Sequence, residues 1–167
     1  LGARLIADDL MALGIDVDCL PLADVPVAGA DAIIGDRAYG THPAQVAGLA
    51  QAVAAGLHAG GVLPVLKHIP GHGRALVDSH HDLPTVTADD AALEADLEPF
   101  IRLSSAPMAM TAHIVYTAWD AERPASLSPI VIENIIRRRI GFDGLLMSDD
   151  LDMKALNGDI PSLAAGV

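Results

Sequence analysis

Apolar positions along the chain alternate between helical spacing and short continuous runs. Helical spacing before Gly14 predicts a first helix with one apolar face, formed by Leu1, Leu5, Ile6, Leu10 and Leu13. A strand is predicted over residues 17–25, and Thr41 is predicted to cap a second helix that ends at Gly60. The branched apolar run at residues 62–66 then predicts a buried strand.

The same alternation continues in the second half of the chain. Thr87, with Asp90 three residues later, predicts a capping box at the start of a third helix, whose buried stripe is Leu93, Leu97, Phe100 and Ile101. Residues 107–116 predict the third strand. A fourth helix is predicted to begin at Ser128 and to end at Gly141, and residues 144–147 predict the fourth strand.

This strict alternation of helices and strands predicts a parallel sheet with right-handed crossovers. The strand centres recur roughly every 40 residues, close to the repeat of a (β/α)8 barrel with enlarged loops. Four units do not close an eight-stranded barrel. The pattern by itself therefore leaves two architectures, an open doubly wound sheet or the middle of a barrel.

Composition narrows the class of protein. The 167 residues are 51% hydrophobic, which suits a single domain with a sizeable core. Ten basic residues against 22 acids give a formal charge of -12, which argues against nucleic acid and anionic membranes as partners. Cys19 is the one cysteine and excludes an internal disulfide. No stretch approaches the ~20 apolar residues of a membrane-spanning helix.

The candidate chemistry concentrates at residues 67–81, directly after the run at residues 62–66. These fifteen positions contain four of the seven histidines together with Lys67 and Asp78. In parallel α/β folds the loops that leave the C-terminal ends of the strands converge on one face and carry the chemistry. Pro70 and the neighbouring glycines force the chain to loop out there. The stretch is therefore predicted to be a functional site.

Spacing alone supports more than one kind of site in this stretch. Asp78 and His80 could form a proton-transfer dyad in which the carboxylate fixes the imidazole tautomer, or they could be a turn with a solvated histidine. Alternatively, His68 and His72 with the later histidines could bind a metal. Paired ligands four residues apart usually need a helix, which Pro70 disfavours.

Polar residues also follow the other predicted strands. Asp149, Asp150 and Asp152 follow the fourth strand, and a helix cap accounts for one of these three acids rather than all of them. His113 ends the third strand and either lines the site or closes the core. Arg37 is an isolated cation in the loop after the first strand, where it either anchors a polar ligand or pairs with a neighbouring acid.

Four motifs resemble the bacterial β-N-acetylhexosaminidases of glycoside hydrolase family 3. They are KHIPGHG at residues 67–73, DSH at residues 78–80, SDDL at residues 148–151 and IGDRAY at residues 34–39. The resemblance covers nearly the whole chain in order. It implies that residues 1–167 form a single, incomplete catalytic domain, a partial TIM (β/α)8 barrel with about strands four to seven and their helices.

The resemblance also implies roles for individual residues. Asp149 would be the nucleophile that forms a covalent glycosyl-enzyme, and His80 would be the general acid/base, held by Asp78. Arg37, Lys67 and His68 would hydrogen-bond the hydroxyls of N-acetylglucosamine. Of the three remaining candidates, His72 and His113 would brace the site, and Asp150 would be a supporting or capping acid.

The expected function is removal of non-reducing terminal β-N-acetylglucosamine from peptidoglycan-derived sugars such as N-acetylglucosaminyl-anhydromuramyl sugars or peptides. The family implies the bacterial cytoplasm, and no metal or cofactor is expected. Two alternatives are a barrel fragment that is non-catalytic or needs complementation, and a metal-dependent hydrolase that uses the histidine cluster. The two open sheet edges of a half barrel predict self-association or low stability.

Overall fold

The computed structural model describes residues 1–79, 82–156 and 158–165. Within them the strands are, in chain order, β1 (Val17–Asp18), β2 (Leu63–Ile69), β3 (Thr85–Val86), β4 (Met108–Thr111), β5 (Val115–Tyr116) and β6 (Leu145–Ser148). The helices are α1 (Gly2–Ala12), α2 (Pro43–Ala59), α3 (Asp90–Arg102), a π-helix (Val131–Ile140) and α4 (Ile160–Ala164). Two 3₁₀ turns occupy Gly35–Arg37 and Ala125–Leu127.

A parallel four-stranded sheet forms the centre of the fold. Its strand order is β1-β2-β4-β6, and each neighbouring pair is parallel. The order in space therefore follows the order in the chain, and α2, α3 and the π-helix lie between successive strands of the sequence. This arrangement confirms the predicted parallel α/β architecture. The short strands β3 and β5 pair in a second parallel sheet.

The first predicted strand is shorter than residues 17–25 as a formal element, yet the chain continues alongside β2 beyond β1. The backbone N–H of Ala23 donates to the carbonyl of Lys67 at 2.7 Å, and the N–H of Lys67 donates to the carbonyl of Pro21 at 3.1 Å. Residues 21–24 therefore reach the C-terminal end of β2 still bonded to it. This extension brings Asp24 beside the histidine stretch.

The third predicted strand, residues 107–116, divides into two strands. Its first half is β4 in the central sheet, and its second half is β5, which leaves to pair with β3. Both strands contain buried residues, so one apolar run serves two sheets. Hydrophobicity does not mark the change of partner, because both halves are equally buried.

Two predicted helix caps are wrong. The N-cap of α2 is His42 rather than Thr41, without a side-chain bond, and Pro43 begins the helix. The N-cap of α3 is Asp89 rather than Thr87, since the side chain of Asp89 accepts the N–H of Ala92 at 2.8 Å. Aspartate is as good a cap as threonine, and Asp89 stands two residues closer to the first helical turn than Thr87.

Residues 129–130 are α-helical and lead directly into the π-helix, so the predicted start after Ser128 and the predicted end at Gly141 are both confirmed. The hydroxyl of Ser128 accepts the N–H of Val131 at 3.1 Å, and the π-helix ends at Gly141, where φ is +76°. Glycine tolerates this left-handed conformation without a side-chain clash. Ser128 is itself fixed, because its hydroxyl donates to Asp120 at 2.7 Å.

The predicted apolar face of α1 packs only in part, because Leu10 contacts the buried cluster that contains Ala7 whereas the other predicted positions are exposed. Leu5 is 57% exposed and Leu13 is 77% exposed, whereas Ala7 is fully buried against α2. A Cβ at Gly60, the C-cap of α2, would collide with the Cβ of Ala7. Small residues at this contact let the backbones of α1 and α2 approach closely, so that Ala7 rather than a leucine is the fully buried residue of α1.

The hydrophobic core fills the space between the central sheet and the helices. Leu93, Leu97 and Phe100 of α3 are fully buried, as predicted, while Ile101 is largely exposed at the edge of the stripe. Among the described residues, no helix has the length and apolar character that a membrane crossing requires. The core supports the β2 and β4 strands, whose C-terminal ends carry the polar residues described below.

Close backbone packing generates a first testable prediction, at Gly73. A Cβ there would overlap the carbonyl of Val25, a backbone group that cannot rotate away. Gly73→Ala is expected to lower the free energy of unfolding by ~1–3 kcal/mol, the usual cost of overpacking. Urea unfolding followed by circular dichroism measures this change.

Gly48 in α2 provides the matched control, because it is exposed and an added Cβ there would contact nothing within 4 Å. Gly48→Ala should stabilise the protein by ~0.5–1 kcal/mol, since alanine is the better helix former. Equal effects of the two substitutions would show that the contact between Gly73 and Val25 does not limit packing.

Candidate active site

The C-terminal ends of the four parallel strands lie at one edge of the sheet, and the polar residues that follow them meet there. The chain after β1 brings Asp24, the end of β2 brings Lys67 and His68, and the end of β6 brings Asp149. Loops from this edge are the usual location of active sites in parallel α/β folds.

Asp24 is a fully buried carboxylate that binds two histidines. Its Oδ2 lies 2.7 Å from Nδ1 of His68, and its Oδ1 accepts the backbone N–H groups of His68 at 3.2 Å and His72 at 2.7 Å. An ionised carboxylate only accepts hydrogen bonds. Nδ1 of His68 therefore carries a proton, and Nε2 is directed to the other side of the ring.

The charge state of Asp24 follows from these bonds. Burial by itself would raise the pKa of Asp24, but the charge and hydrogen bond of His68 and the N–H of His72 outweigh it and lower the pKa below its ordinary value. Asp24 is thus an anion at neutral pH, and three donors compensate its removal from water.

A change of register in β2 determines where His68 lies. Lys67 is paired with Met110, but the next pair joins Ile69 to Thr111, so His68 is an extra residue without a partner in β4. Such a bulge redirects a side chain that regular pleating would place elsewhere. The ring of His68 consequently lies between Asp24 and the end of β6.

Asp149 faces this ring across a small cavity. Its Oδ2 lies 3.9 Å from Nε2 of His68, and its side chain is 17% exposed. The cavity has a volume of about 120 Å³. It is lined by Ile33, Ile34, Arg37, Lys67, His68, His72, Ser79, Asp149 and Met153.

Five of the sequence-predicted site residues therefore share one cavity. They come from three separate parts of the chain and are Arg37, Lys67, His68, His72 and Asp149. The guanidinium of Arg37 donates to the carbonyl of Ile33 at 2.6 Å, which folds the side chain over its own loop.

His72 is buried beside His68, with the two rings edge to face at a centroid distance of 5.4 Å. Its Nε2 lies 3.4 Å from the hydroxyl of Ser79, and its Nδ1 has no hydrogen-bond partner in the described part of the chain. Burial lowers the pKa of His72 below its ordinary value, although Asp24 opposes the effect. His72 is therefore a neutral side chain that packs under the loop.

His113 supports the backbone beside Asp149. Its Nε2 lies 3.0 Å from the carbonyl of Asp150, and its Nδ1 lies 2.7 Å from the hydroxyl of Ser126. Since a carbonyl oxygen only accepts, Nε2 carries the proton and Nδ1 accepts from Ser126. Burial also lowers the pKa of His113. A neutral His113 thus fixes the chain one residue after Asp149.

The remaining predicted residues lie around this centre or outside the described residues. Asp78 is half-buried, and its carbonyl accepts the N–H of Asp82 at 3.1 Å. His80 lies outside the described residues, so its predicted pairing with Asp78 stays a prediction. Asp150 is exposed, and its Oδ1 accepts the N–H of Asp152 at 3.0 Å, as in a capping turn.

A larger cavity, of about 440 Å³, lies at the opposite end of the sheet. It is lined by residues of α2, by Pro64 near the start of β2, by Arg102 at the end of α3 and by the segment that leads from α3 to Pro107 before β4. Its lining is mainly apolar and contains no carboxylate. The volume of a cavity therefore does not identify the candidate site. The smaller cavity is the one lined by Asp149, by two histidines and by Arg37 and Lys67.

The sequence did not identify Asp24 as a site residue, because an acid near the end of an apolar run can be a solvated loop residue as well as a buried one. The available signal was its position beside Ala23 and Val25, which a solvated acid does not favour. Ser79 and Met153 were also missed as lining residues, although Ser79 is the middle residue of the DSH motif; nothing in the local sequence distinguishes Met153. Both reach the cavity only through loop tertiary structure.

The predicted alternative of a metal site is not supported by the described residues. Among residues 1–79, 82–156 and 158–165, no group of three or more histidine, cysteine, aspartate or glutamate side chains is arranged to hold a metal ion. His80 and His81 lie outside these ranges, so the hypothesis that they contribute ligands stays open to experiment.

The sheet and its site define a (β/α)-type catalytic domain with a carboxylate at the end of the last strand of the sheet. The model of the glycosyl hydrolase family 3 N-terminal domain matches residues 2–163. The chain therefore belongs to glycosyl hydrolase family 3, and the family predicted from its motifs is confirmed.

Individual relatives agree with this membership. A β-hexosaminidase of Chromobacterium violaceum is 42% identical over 156 residues, which are 92% of this chain and 43% of that protein. The structure of a family 3 β-N-acetylglucosaminidase from a Paenibacillus species superposes with a TM-score of 0.88 at 37% identity, over 92% of this chain and 30% of that one.

A third similar protein is NagZ from Neisseria gonorrhoeae, solved in complex with N-trifluoroacetyl-D-glucosamine. Its TM-score is 0.87 at 41% identity, over 98% of this chain and 47% of that one. The chain thus spans less than half the length of each of these three proteins.

The bonds of Asp24 generate a prediction about stability. Asp24→Asn would place an amide near the N–H donors of His68 and His72, so we expect the free energy of unfolding at pH 7 to fall by ~1–3 kcal/mol. Asp31→Asn is the control, because Asp31 is exposed and its Oδ1 accepts the N–H of Ile33, two residues away, at 2.8 Å. Similar losses in both variants would contradict the structural role of Asp24.

The lowered pKa of Asp24 adds a pH signature to this variant. The pKa of Asp24 is lower in the folded protein than the value of about 3.9 in the unfolded chain. The ionised carboxyl therefore stabilises the folded protein fully above about pH 3.9. This stabilisation is lost as the pH falls to the pKa of the folded state. Below about pH 4 the native protein should therefore lose stability more steeply than Asp24→Asn. Urea titrations between neutral and acidic pH measure the difference, and parallel curves would contradict it.

The two neutral histidines generate a separate prediction at higher pH. Because burial lowers the pKa of His72 and of His113, the unfolded chain binds protons at these sites below about pH 6.5 and the folded chain does not. The free energy of unfolding should therefore fall as the pH decreases from about 7 to about 5. His113→Gln removes one titrating group and should flatten this slope. An unchanged slope would show that His113 is not kept neutral by the fold.

Proposed function

We propose that the protein is a retaining glycoside hydrolase that removes non-reducing terminal β-N-acetylglucosamine. The observation that carries the proposal is the position of Asp149, a carboxylate that faces a small polar cavity at the C-terminal edge of a parallel sheet. The activities for which the relatives are named, those of a β-hexosaminidase and a β-N-acetylglucosaminidase, support this chemistry.

Asp149 is the proposed nucleophile. In the first step an oxygen of Asp149 attacks the anomeric carbon, the bond from that carbon to the leaving oxygen breaks, and the leaving oxygen takes a proton from the general acid. Nε2 of His68, 3.9 Å away, helps to keep the carboxylate oriented toward the sugar. The product of this step is a covalent glycosyl-enzyme.

His80, held by Asp78, is the proposed general acid/base. It donates its proton to the leaving oxygen in the first step and removes one from water in the second, when water displaces Asp149 and restores it as a carboxylate. Most retaining glycosidases use a second carboxylate for this task. Support comes from the DSH motif and from the position of Ser79, the residue before His80, in the wall of the cavity that contains Asp149.

Arg37, Lys67 and His68 are the proposed ligands of the sugar hydroxyls. All three line the cavity with Asp149, and their donors suit hydroxyl oxygens. His68 is held in place by Asp24, so its contact with a hydroxyl would be preorganised. His72, His113 and Asp150 support the loops and are not proposed to touch the sugar.

The proposed natural substrates are peptidoglycan-derived sugars, such as N-acetylglucosaminyl-anhydromuramyl sugars or peptides, and the proposed location is the bacterial cytoplasm. These two points depend on the family resemblance. The acidic chain, with a formal charge of -12, gives no separate attraction to nucleic acid or anionic membranes.

Hydrolysis of a chromogenic N-acetyl-β-glucosaminide tests the nucleophile. Asp149→Ala should lose activity by several orders of magnitude, and a fluorinated substrate analogue should leave a covalent sugar on the peptide that contains Asp149. Asp152→Ala is the control, because Asp152 is an exposed acid three residues later in the same loop. Labelling of another residue, or equal losses in the two variants, would reject Asp149 as nucleophile.

The acid/base assignment has its own test. His80→Ala should lower kcat by ~10²–10⁴-fold with a poor leaving group, the usual contribution of general acid catalysis, and the loss should be smaller with an activated aryl substrate. A chelator should not change the rate. If the chelator abolishes activity and metal restores it, the metal-dependent alternative replaces this one.

The alternative of a complementation-dependent fragment is supported by the length of the chain relative to its relatives. Absence of hydrolysis in a sample shown to be folded by circular dichroism would favour it. Recovery of hydrolysis on addition of the remaining part of a family 3 barrel would then assign the chain as one component of an active site.

We also propose that the chain self-associates through its sheet edges. Within the described residues β1 and β6 each have one neighbour in the central sheet, and Leu145 at the start of β6 is 62% exposed. Unpaired edges with apolar side chains favour association. Sedimentation velocity should detect dimers or larger species, and Leu145→Lys should reduce them. A strictly monomeric chain at all concentrations would contradict the proposal.

A further inference from the structure

The register of β4 and β6 brings His113 beside Asp150. Thr111 at the end of β4 pairs with Ser148 at the end of β6, and His113 and Asp150 each follow two residues later. Nε2 of His113 donates to the carbonyl of Asp150 at 3.0 Å. This contact therefore joins the segment after β4 to the segment that carries the proposed nucleophile.

Ser126 holds the other side of the same imidazole. Its hydroxyl lies 2.7 Å from Nδ1 of His113, and neither residue is more than 1% exposed. Because Nε2 carries the proton, Nδ1 accepts the hydroxyl hydrogen of Ser126. Ser126 lies in the 3₁₀ turn Ala125–Leu127. That turn is tied to the chain after His113, since the N–H of Ala125 donates to the carbonyl of Ile114 at 2.8 Å. Both ring nitrogens of His113 are bonded, so the ring has one orientation.

The backbone of Asp150 connects this ring to Asp149. The carbonyl of Asp150 is held by His113, and its N–H donates to Oδ1 of Asp149 at 2.9 Å. An N–H bond to a carboxylate oxygen stabilises the charge on that oxygen and makes it less available for attack. Oδ2 of the same carboxylate lies 3.9 Å from Nε2 of His68. The two oxygens of Asp149 therefore have different surroundings.

Ser128 is a second fully buried serine, two residues later, and its contacts are those of a structural residue. Its hydroxyl donates to Asp120 at 2.7 Å and accepts the N–H of Val131 at 3.1 Å. These bonds hold the start of the helix and include no residue that lines the smaller cavity. Burial of a serine hydroxyl in this part of the chain therefore does not by itself connect it to Asp149, whereas the bond from Ser126 to His113 does.

We propose that Ser126, through His113, is a positioning residue for the carboxylate of Asp149, and that Oδ2 is the oxygen that attacks the anomeric carbon. The proposal rests on the nucleophile proposed above. Ser126 touches no substrate. It keeps His113 in the orientation that holds the carbonyl of Asp150. The N–H of Asp150 then keeps Oδ1 bonded, so that Oδ2 is presented to the sugar.

The rate of covalent labelling tests the role of Ser126. A fluorinated N-acetyl-β-glucosaminide with a dinitrophenyl leaving group needs little protonation. Its limiting rate therefore reports the bond that Asp149 forms with the anomeric carbon while the leaving group departs with its electron pair. Ser126→Ala should lower this rate by ~10-fold, since small displacements of a reacting group are costly, and should leave the dissociation constant of N-acetylglucosamine unchanged. An unchanged labelling rate, or a loss confined to binding, overturns the proposal.

Ser128→Ala is the matched control, because it removes an equally buried hydroxyl that donates a bond of the same length. It should lower the free energy of unfolding at least as much as Ser126→Ala does, since it also removes a helix cap, and it should leave the labelling rate unchanged. Urea unfolding measures the two losses of stability. Equal losses of labelling rate in the two variants would show that the rate follows general stability, which contradicts the positioning role.

A double-mutant cycle tests whether Ser126 acts through His113. His113→Leu should lower the labelling rate at least as much as Ser126→Ala does, because it leaves the carbonyl of Asp150 without this donor. Addition of Ser126→Ala to His113→Leu should then cause no further loss, as expected for two residues that act in one chain of bonds. Additive losses would assign Ser126 a separate effect and reject the proposal.

The crystal structure of the labelled protein tests which oxygen attacks. We expect the sugar on the oxygen of Asp149 that does not accept the N–H of Asp150, with that N–H still bonded to the other oxygen. A sugar on the oxygen bonded to the N–H of Asp150 would overturn the assignment of Oδ2.

The amide proton of Asp150 provides a readout that does not need labelling. In Ser126→Ala its nuclear magnetic resonance signal should move upfield, because its bond to Oδ1 of Asp149 weakens. The amide signal of Ala92 should stay in place, since Ala92 donates a similar bond to Asp89 at the start of α3. An unmoved Asp150 signal overturns the role of Ser126. If the native chain is not labelled, the proposed function fails for this chain, and the amide signal still decides whether Ser126 positions the segment.

Discussion

The carboxylate of Asp24 accepts three hydrogen bonds from two histidines that stand on either side of a sharp turn in the chain. Because Asp24 is completely buried, loss of these donors would leave an uncompensated charge in the interior, a change that costs ~3–5 kcal/mol in buried pairs. The end of β2 and the first turn of the loop that follows it, called the histidine loop, can therefore adopt few alternative backbone conformations. Every other feature of the site is built on this fixed segment.

The parallel sheet and the close packing of its loops bring Asp24 into contact with His68 and His72. Residues 21–24 continue beside β2 after β1 has ended, and the bulge at His68 directs its imidazole between Asp24 and Asp149. Gly73 allows the histidine loop to lie against the backbone of Val25. The bulge at His68, the close approach at Gly73 and the buried Asp24 thus shape the end of β2 where it borders the cavity that contains Asp149.

Hydrogen bonds from several side chains hold the segments that surround the cavity. Asp24 orients His68, neutral His113 holds the carbonyl of Asp150 next to the proposed nucleophile, and Arg74 ties the histidine loop to α3. Each of these contacts joins a loop residue to a different strand or helix. The surroundings of Asp149 therefore depend on contacts from several elements of the fold.

The sequence by itself determined the alternation of helices and strands and the family, and it singled out the residues that are proposed to carry the chemistry, because hydrophobic period, glycine stops and the KHIPGHG, DSH and SDDL motifs are all local. It did not determine that Ala7 is the fully buried residue of α1, since that depends on Gly60, the C-cap of α2. Nor did it single out Asp24 or pair Arg74 with Asp96, because these contacts join residues 44 and 22 positions apart. Burial and long-range hydrogen bonding assign their roles, and both exist only once the chain has folded.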